Sequence, residues 1–188
     1  MNNSGVFSPF SIPVLESLLD GPLHVRELAE KTGFAPSTAH KALSALLVQN
    51  ILIATRQKNR KIFFINFDSP LAQKMISLIW IEKIIHSKGF NQLRNLKPKS
   101  IVLFGSGHTG KFSKTSDVDL AVFFNQKTDA FKLSEIKKKL SNALNREVDL
   151  VWLTREKIDA MRREKVELLN QIQYKSTVLW GEPIETNG

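Results

Sequence analysis

IVLFGSGHTGKFSKTSDVDLAVFF, residues 101–124, opens on an apolar run, breaks at a Gly-Ser pair and resumes as a second apolar run entered through two aspartates. Val102, Leu103 and Phe104 predict a short buried strand. It ends at Gly105-Ser106, a turn whose backbone N–H groups and hydroxyl can hold phosphate oxygens. Asp117 and Asp119 begin the next strand. Side chains alternate along a strand, so both carboxylates point the same way and can reach one divalent ion, while Val118, Leu120 and Val122 pack behind. A phosphate cradle beside a metal platform suits phosphoryl-transfer chemistry.

A third carboxylate belongs to the same pattern. In EVDLVWL, Glu147 to Leu153, one face carries Val148, Leu150 and Trp152 and the other Asp149, Val151 and Leu153. The preceding amphipathic helix, Ala130 to Asn145, returns the chain to the same sheet. If Asp149 projects beside Asp117 and Asp119, the trio is electrostatically costly without a cation, which implies Mg²⁺ or Mn²⁺.

These residues resemble the polymerase-β nucleotidyltransferase superfamily, whose signature is a hydrophobic strand, Gly-Ser, a loop and Asp-hydrophobic-Asp. The likeness is closest to the small bacterial and archaeal members, including antitoxins that adenylylate a partner toxin. Gly105, Ser106, Gly110, Ser116, Asp117, Asp119 and Leu120 match the motif, and the likeness extends over roughly residues 99–183. The resemblance implies that Gly105 and Ser106 bind the triphosphate of an NTP, with ATP expected, and that Asp117 and Asp119 bind Mg²⁺. Asp149 would complete the metal site or activate the acceptor, and a hydroxyl on a separate protein is the expected acceptor. The chain departs from many relatives just after the Gly-Ser pair, where Gly107 and His108 stand in place of an arginine.

The 188-residue chain is long enough for two small domains and carries a net charge of +9, most of it before residue 98. That balance favours polyanionic partners. The absence of cysteine excludes disulfide and thiol chemistry, and no stretch suits a membrane span. A cytoplasmic protein with no membrane partner is expected.

Ile12 to Phe67 predicts helix, helix, turn, helix and a basic hairpin, the order of a winged helix-turn-helix. Gly33 marks the turn and Pro36 opens the next helix. Ala39, Ala42, Leu43, Leu46 and Leu47 form that helix's buried stripe, leaving Ser37, Thr38, His40, Lys41 and Ser44 to face a DNA groove. Arg56, Lys58, Arg60 and Lys61 form a cationic wing suited to phosphates. The segment from Val14 to Phe67 resembles the winged-helix domains of prokaryotic transcriptional regulators, which implies duplex DNA as a partner.

Leu71 to Phe90 predicts one connecting helix whose broad apolar stripe needs a partner, either between the modules or in a homodimer. A second helix is expected over Glu156 to Leu169. His24, His40, His86 and His108 show no zinc spacing, and His108 reads as an exposed loop histidine. Lys137, Lys138 and Lys139 read as a solvated helix face and Tyr174 as a packed aromatic. The expected architecture is α+β: a winged helix over residues 1–69, a connecting helix and linker over 70–97, and a nucleotidyltransferase fold with a mixed sheet flanked by helices over 98–188. The expected activity is metal-dependent transfer of a nucleoside monophosphate to an acceptor hydroxyl. The alternative is a DNA-binding regulator whose transferase fold senses nucleotide or binds a partner without catalysis.

Overall fold

The computed structural model describes residues 8–112, 115–126 and 128–183. The chain divides into two compact units. One runs to Ile79 and includes the short run from Gly110, and the other holds Trp80–Thr109 and the chain from Thr115 onward.

The first unit begins with α1 (Ser11–Leu19), β1 (Leu23–His24), α2 (Val25–Thr32) and α3 (Pro36–Val48). The His24 side chain accepts from the N–H groups of Arg26 and Glu27, and Glu27 reaches back to the His24 N–H, a capping box that starts α2. Gly33 ends α2 at φ +71°, a left-handed turn that glycine adopts without steric cost. Pro36 occupies the first turn of α3, where its missing N–H costs nothing. Strands β2 (Leu52–Gln57) and β3 (Arg60–Ile65) form a hairpin closed by Lys58 and Asn59, and β1 adds to the free edge of β3. The two-residue β1 is too short to leave a periodic signal in the sequence. Val14, Leu15, Leu28, Leu43, Leu46 and Phe63 are buried in this unit. Leu43→Ala should therefore destabilise it by about 2–5 kcal/mol, read by denaturant titration.

The expected connecting helix is two helices, α4 (Pro70–Ile85) and α5 (Lys88–Asn95). Ser87 interrupts them, its side chain capping α5 through the Phe90 N–H. The apolar spacing runs through this break, which is why the sequence reads as continuous.

In the second unit the sheet contains β4 (Ser100–Leu103), β5 (Val118–Phe123), β6 (Val148–Leu153) and β7 (Thr177–Gly181) in the order β6-β5-β4-β7. Strand β4 runs antiparallel to β5 and β7, while β5 and β6 are parallel. The parallel pair is joined through α7 (Ala130–Leu144), which Asp129 caps and Asn145 ends in a left-handed turn. Val102, Ala121, Phe123 and Leu153 pack with Ile158, Leu169 and Ile172. Those last three belong to α8 (Arg155–Arg163) and α9 (Glu167–Tyr174). Strand alternation turns Leu120, Val122 and Leu150 to the opposite face. The expected Glu156–Leu169 helix is thus the α8–α9 pair, and Tyr174, expected to be packed, is 74% exposed at the end of α9. Among the described residues no helix is long and apolar enough to cross a membrane.

Candidate active site

Parallel pairing of β5 with β6 places Asp119 directly opposite Asp149. Both share the strand parity of Ala121, Phe123 and Leu153, so they emerge at the start of their strands on the face that carries α8 and α9. Asp117 precedes β5 and is exposed, whereas Asp119 is half-buried. The turn after β4 closes over this point, because the Phe104 N–H donates to the Asp119 carbonyl and the Ser106 N–H to the Asp119 carboxylate. Gly105 begins the short helix α6 (Gly105–Thr109) at φ +61°. A Cβ there would run into the Asp119 carboxylate, so glycine is favoured by conformation and called for by space. Gly105→Ala should move the turn off Asp119 and lower the transfer rate on the order of 10²-fold, read in a single-turnover assay.

The electrostatics of Asp119 follow from this crowding. Burial raises its pKa above the usual 3.8, the charges of Asp149 and then Asp117 raise it further, and the Ser106 N–H opposes them. Among the described residues no group of three or more His, Asp or Glu side chains is arranged to hold a metal ion. The donor set nevertheless fits a hard divalent cation: the charges of Asp117 and Asp149 make ionisation of Asp119 costly, and a cation at that point would remove the cost.

Two residues read differently in three dimensions. Lys137 is half-buried rather than wholly solvated, and its Nζ lies 3.8 Å from Asp149 Oδ1. Its place in a run of three lysines on an amphipathic helix conceals this, since only the sheet edge beside α7 singles it out. His108 is likewise only part-exposed, with Nδ1 2.8 Å from the Thr177 hydroxyl at the start of β7. It ties the Gly-Ser turn to a strand on the far side of β4.

In the first unit Ser37, His40 and Lys41 are exposed on α3, while Thr38 and Ser44, expected on the same exposed face, are half-buried. Arg56 pairs with Lys61 across the hairpin, and Arg60 with Gln57, so Arg56, Lys58, Arg60 and Lys61 all crowd one exposed tip. Lys61 also lies over the Phe63 ring, 5.4 Å from its centroid.

A unit of three helices with a basic wing, followed in the chain by a carboxylate-edged mixed sheet, is the architecture of a regulator-type helix-turn-helix joined to a nucleotidyltransferase. The nucleotidyltransferase domain model matches residues 85–174, and the IclR helix-turn-helix domain model matches residues 14–52. The chain is 37% identical over 78 residues to "Putative protein adenylyltransferase MJ1215" of Methanocaldococcus jannaschii, covering 42% of this chain and 91% of that protein. It is 32% identical over 103 residues to the protein adenylyltransferase MntA of Shewanella oneidensis, covering 54% and 68%. A crystal structure of a toxin–antitoxin with AMP-PNP aligns at 33% identity over 54% of this chain and 73% of that one, with a TM-score of 0.41. The chain belongs to the polymerase-β-type nucleotidyltransferase family and carries an IclR-type helix-turn-helix domain at its N-terminus.

Proposed function

We propose that the protein transfers AMP from ATP to a hydroxyl on an acceptor protein, and that its N-terminal module binds duplex DNA. The observation that carries the first part is the register that sets Asp119 against Asp149 beneath the Gly105-Ser106 turn. The protein adenylyltransferase names of the two curated relatives support AMP as the group moved and a protein as its acceptor. Residues 1–69 would form the DNA-binding module, 70–97 the connector and 98–188 the transferase. The resemblance to adenylylating antitoxins makes a toxin the expected acceptor, and the cytoplasm is the expected setting.

Asp117, Asp119 and Asp149 would hold Mg²⁺, which when bound neutralises charge on the phosphates and on the departing pyrophosphate. The Gly105-Ser106 turn would position the triphosphate, with the Ser106 N–H fixing Asp119. The acceptor oxygen forms a bond to the α-phosphorus as the bond from that phosphorus to the bridging oxygen breaks, and pyrophosphate leaves with the electron pair. The Asp149 carboxylate takes the acceptor's proton, and Lys137 keeps that carboxylate oriented. Alignment and charge neutralisation supply most of the rate.

Incubation with Mg²⁺, α-labelled ATP and lysate from the protein's own source should label one discrete protein. Asp117→Asn should remove that label. Label confined to small molecules or nucleic acid ends would overturn the acceptor-protein reading.

A further inference from the structure

A cleft of about 790 Å³ runs along the second half of α7 and the turn into β6, lined in part by Lys137, Lys138, Asn142, Asn145, Arg146 and Glu147. Every side chain lining it is polar, and cations outnumber acids by three to one. Lys137 belongs both to this cleft and to the carboxylate site, through its ion pair with Asp149. Lys137 thus joins the cleft to Asp149, the carboxylate assigned above to the acceptor's proton.

We propose that this cleft docks an extended acidic segment of the acceptor protein, feeding the neighbouring hydroxyl toward Asp149. The inference deepens the reading above and rests on it in one respect, that the acceptor is a protein. Charge complementarity selects an acidic ligand, and the row of polar side chains along α7 selects its shape. Lys138, Asn142 and Asn145 follow one face of α7 over roughly 10 Å at the rise of a helix, a span that about three extended residues cover, and Arg146 stands just past the left-handed turn. A compact phosphate would engage only part of such a row. It would also face the C-terminal carbonyls of α7, whose partial negative charge opposes a concentrated anion. Carboxylates spread along a peptide can avoid that point. Single-stranded nucleic acid is disfavoured as well, because its general binding sites stack bases on aromatic rings and no aromatic side chain lines this cleft among the described residues. Asn142 and Asn145 lie between the cations, where their amides can pair with a peptide backbone.

The test uses the full chain and fluorescein-labelled hexaglutamate, followed by anisotropy at low salt. Lys138 and Asn142 are exposed, so a Lys138→Glu/Asn142→Asp variant should fold normally by circular dichroism. It should bind the peptide about tenfold more weakly than the unsubstituted protein. Lys58→Glu/Lys61→Glu, which removes at least as much positive charge from the wing, should change the affinity less than about twofold. Inorganic pyrophosphate should fail to displace the peptide. Equal weakening by both variants would reduce the binding to net charge, displacement by pyrophosphate would make this a phosphate site, and unchanged affinity in the cleft variant would empty it; each overturns the proposal. Calorimetry with MgATP should give the same affinity in the cleft variant. Loss of peptide binding alone thus removes the docking cleft, whereas absence of any labelled protein in the transfer assay removes the acceptor-protein reading.

Discussion

Asp119→Asn is expected to lower nucleotide transfer by roughly 10²–10³-fold, the scale for losing one preorganised electrostatic interaction at a reacting centre, while making the metal-free fold more stable. The opposed signs follow from one cause. Burial and the charges of Asp149 and Asp117 raise the Asp119 pKa, so the folded state holds this proton more tightly than the unfolded chain does. The stability from that proton is fully present below the usual value of 3.8 and is lost as pH rises through the raised value. Asparagine keeps the shape and has no charge to ionise. In a chelating buffer the melting temperature of the variant should exceed that of the unsubstituted protein increasingly as pH rises from about 4, then by a constant margin. Added Mg²⁺ should raise the melting temperature of the unsubstituted protein and leave the variant nearly unchanged. A variant that melts lower than its parent at every pH would contradict the electrostatic account.

Neutralising Arg56, Lys58, Arg60 and Lys61 together is expected to weaken duplex binding on the order of 10³-fold at 0.1 M salt. All four are exposed on the β2–β3 hairpin and only Lys61 touches the core, through the face of the Phe63 ring, so the unit should fold without their charges. Each phosphate that the wing no longer neutralises keeps its condensed counterion, and the slope of log affinity against log salt should flatten by roughly 3–4. Substitution of Ser37, His40 and Lys41 should act differently, changing the preferred sequence with a smaller effect on the slope. Titrations at several salt concentrations separate the two. A slope unaltered by the wing substitutions would place the phosphate-binding cations elsewhere.

The carboxylate pair was legible in the sequence because strand alternation is strict: Asp119 and Asp149 sit in apolar runs whose register two parallel strands preserve. The Gly-Ser turn was legible for a related reason, since Gly105 combines a left-handed backbone with a Cβ position that the Asp119 side chain fills. Features that depend on a single local bond escaped. The break between α4 and α5 is made by the Ser87 cap inside a continuous apolar pattern, and β1 is two residues held by the edge of β3. The pairing of Lys137 with Asp149 and of His108 with Thr177 joins residues distant in sequence, which no periodicity records. Both bear on the site, and both read on their own as ordinary surface residues.

The central claim is that AMP, and no other part of ATP, moves to a protein. Parallel reactions with Mg²⁺ and ATP labelled on either the α- or the γ-phosphate, each with lysate from the protein's own source, test it most directly. The account predicts a protein band that carries the α label, lacks the γ label and disappears with Asp119→Asn. A band carrying the γ label, or nucleotide bound with normal affinity and no labelled protein from either substrate, would contradict it.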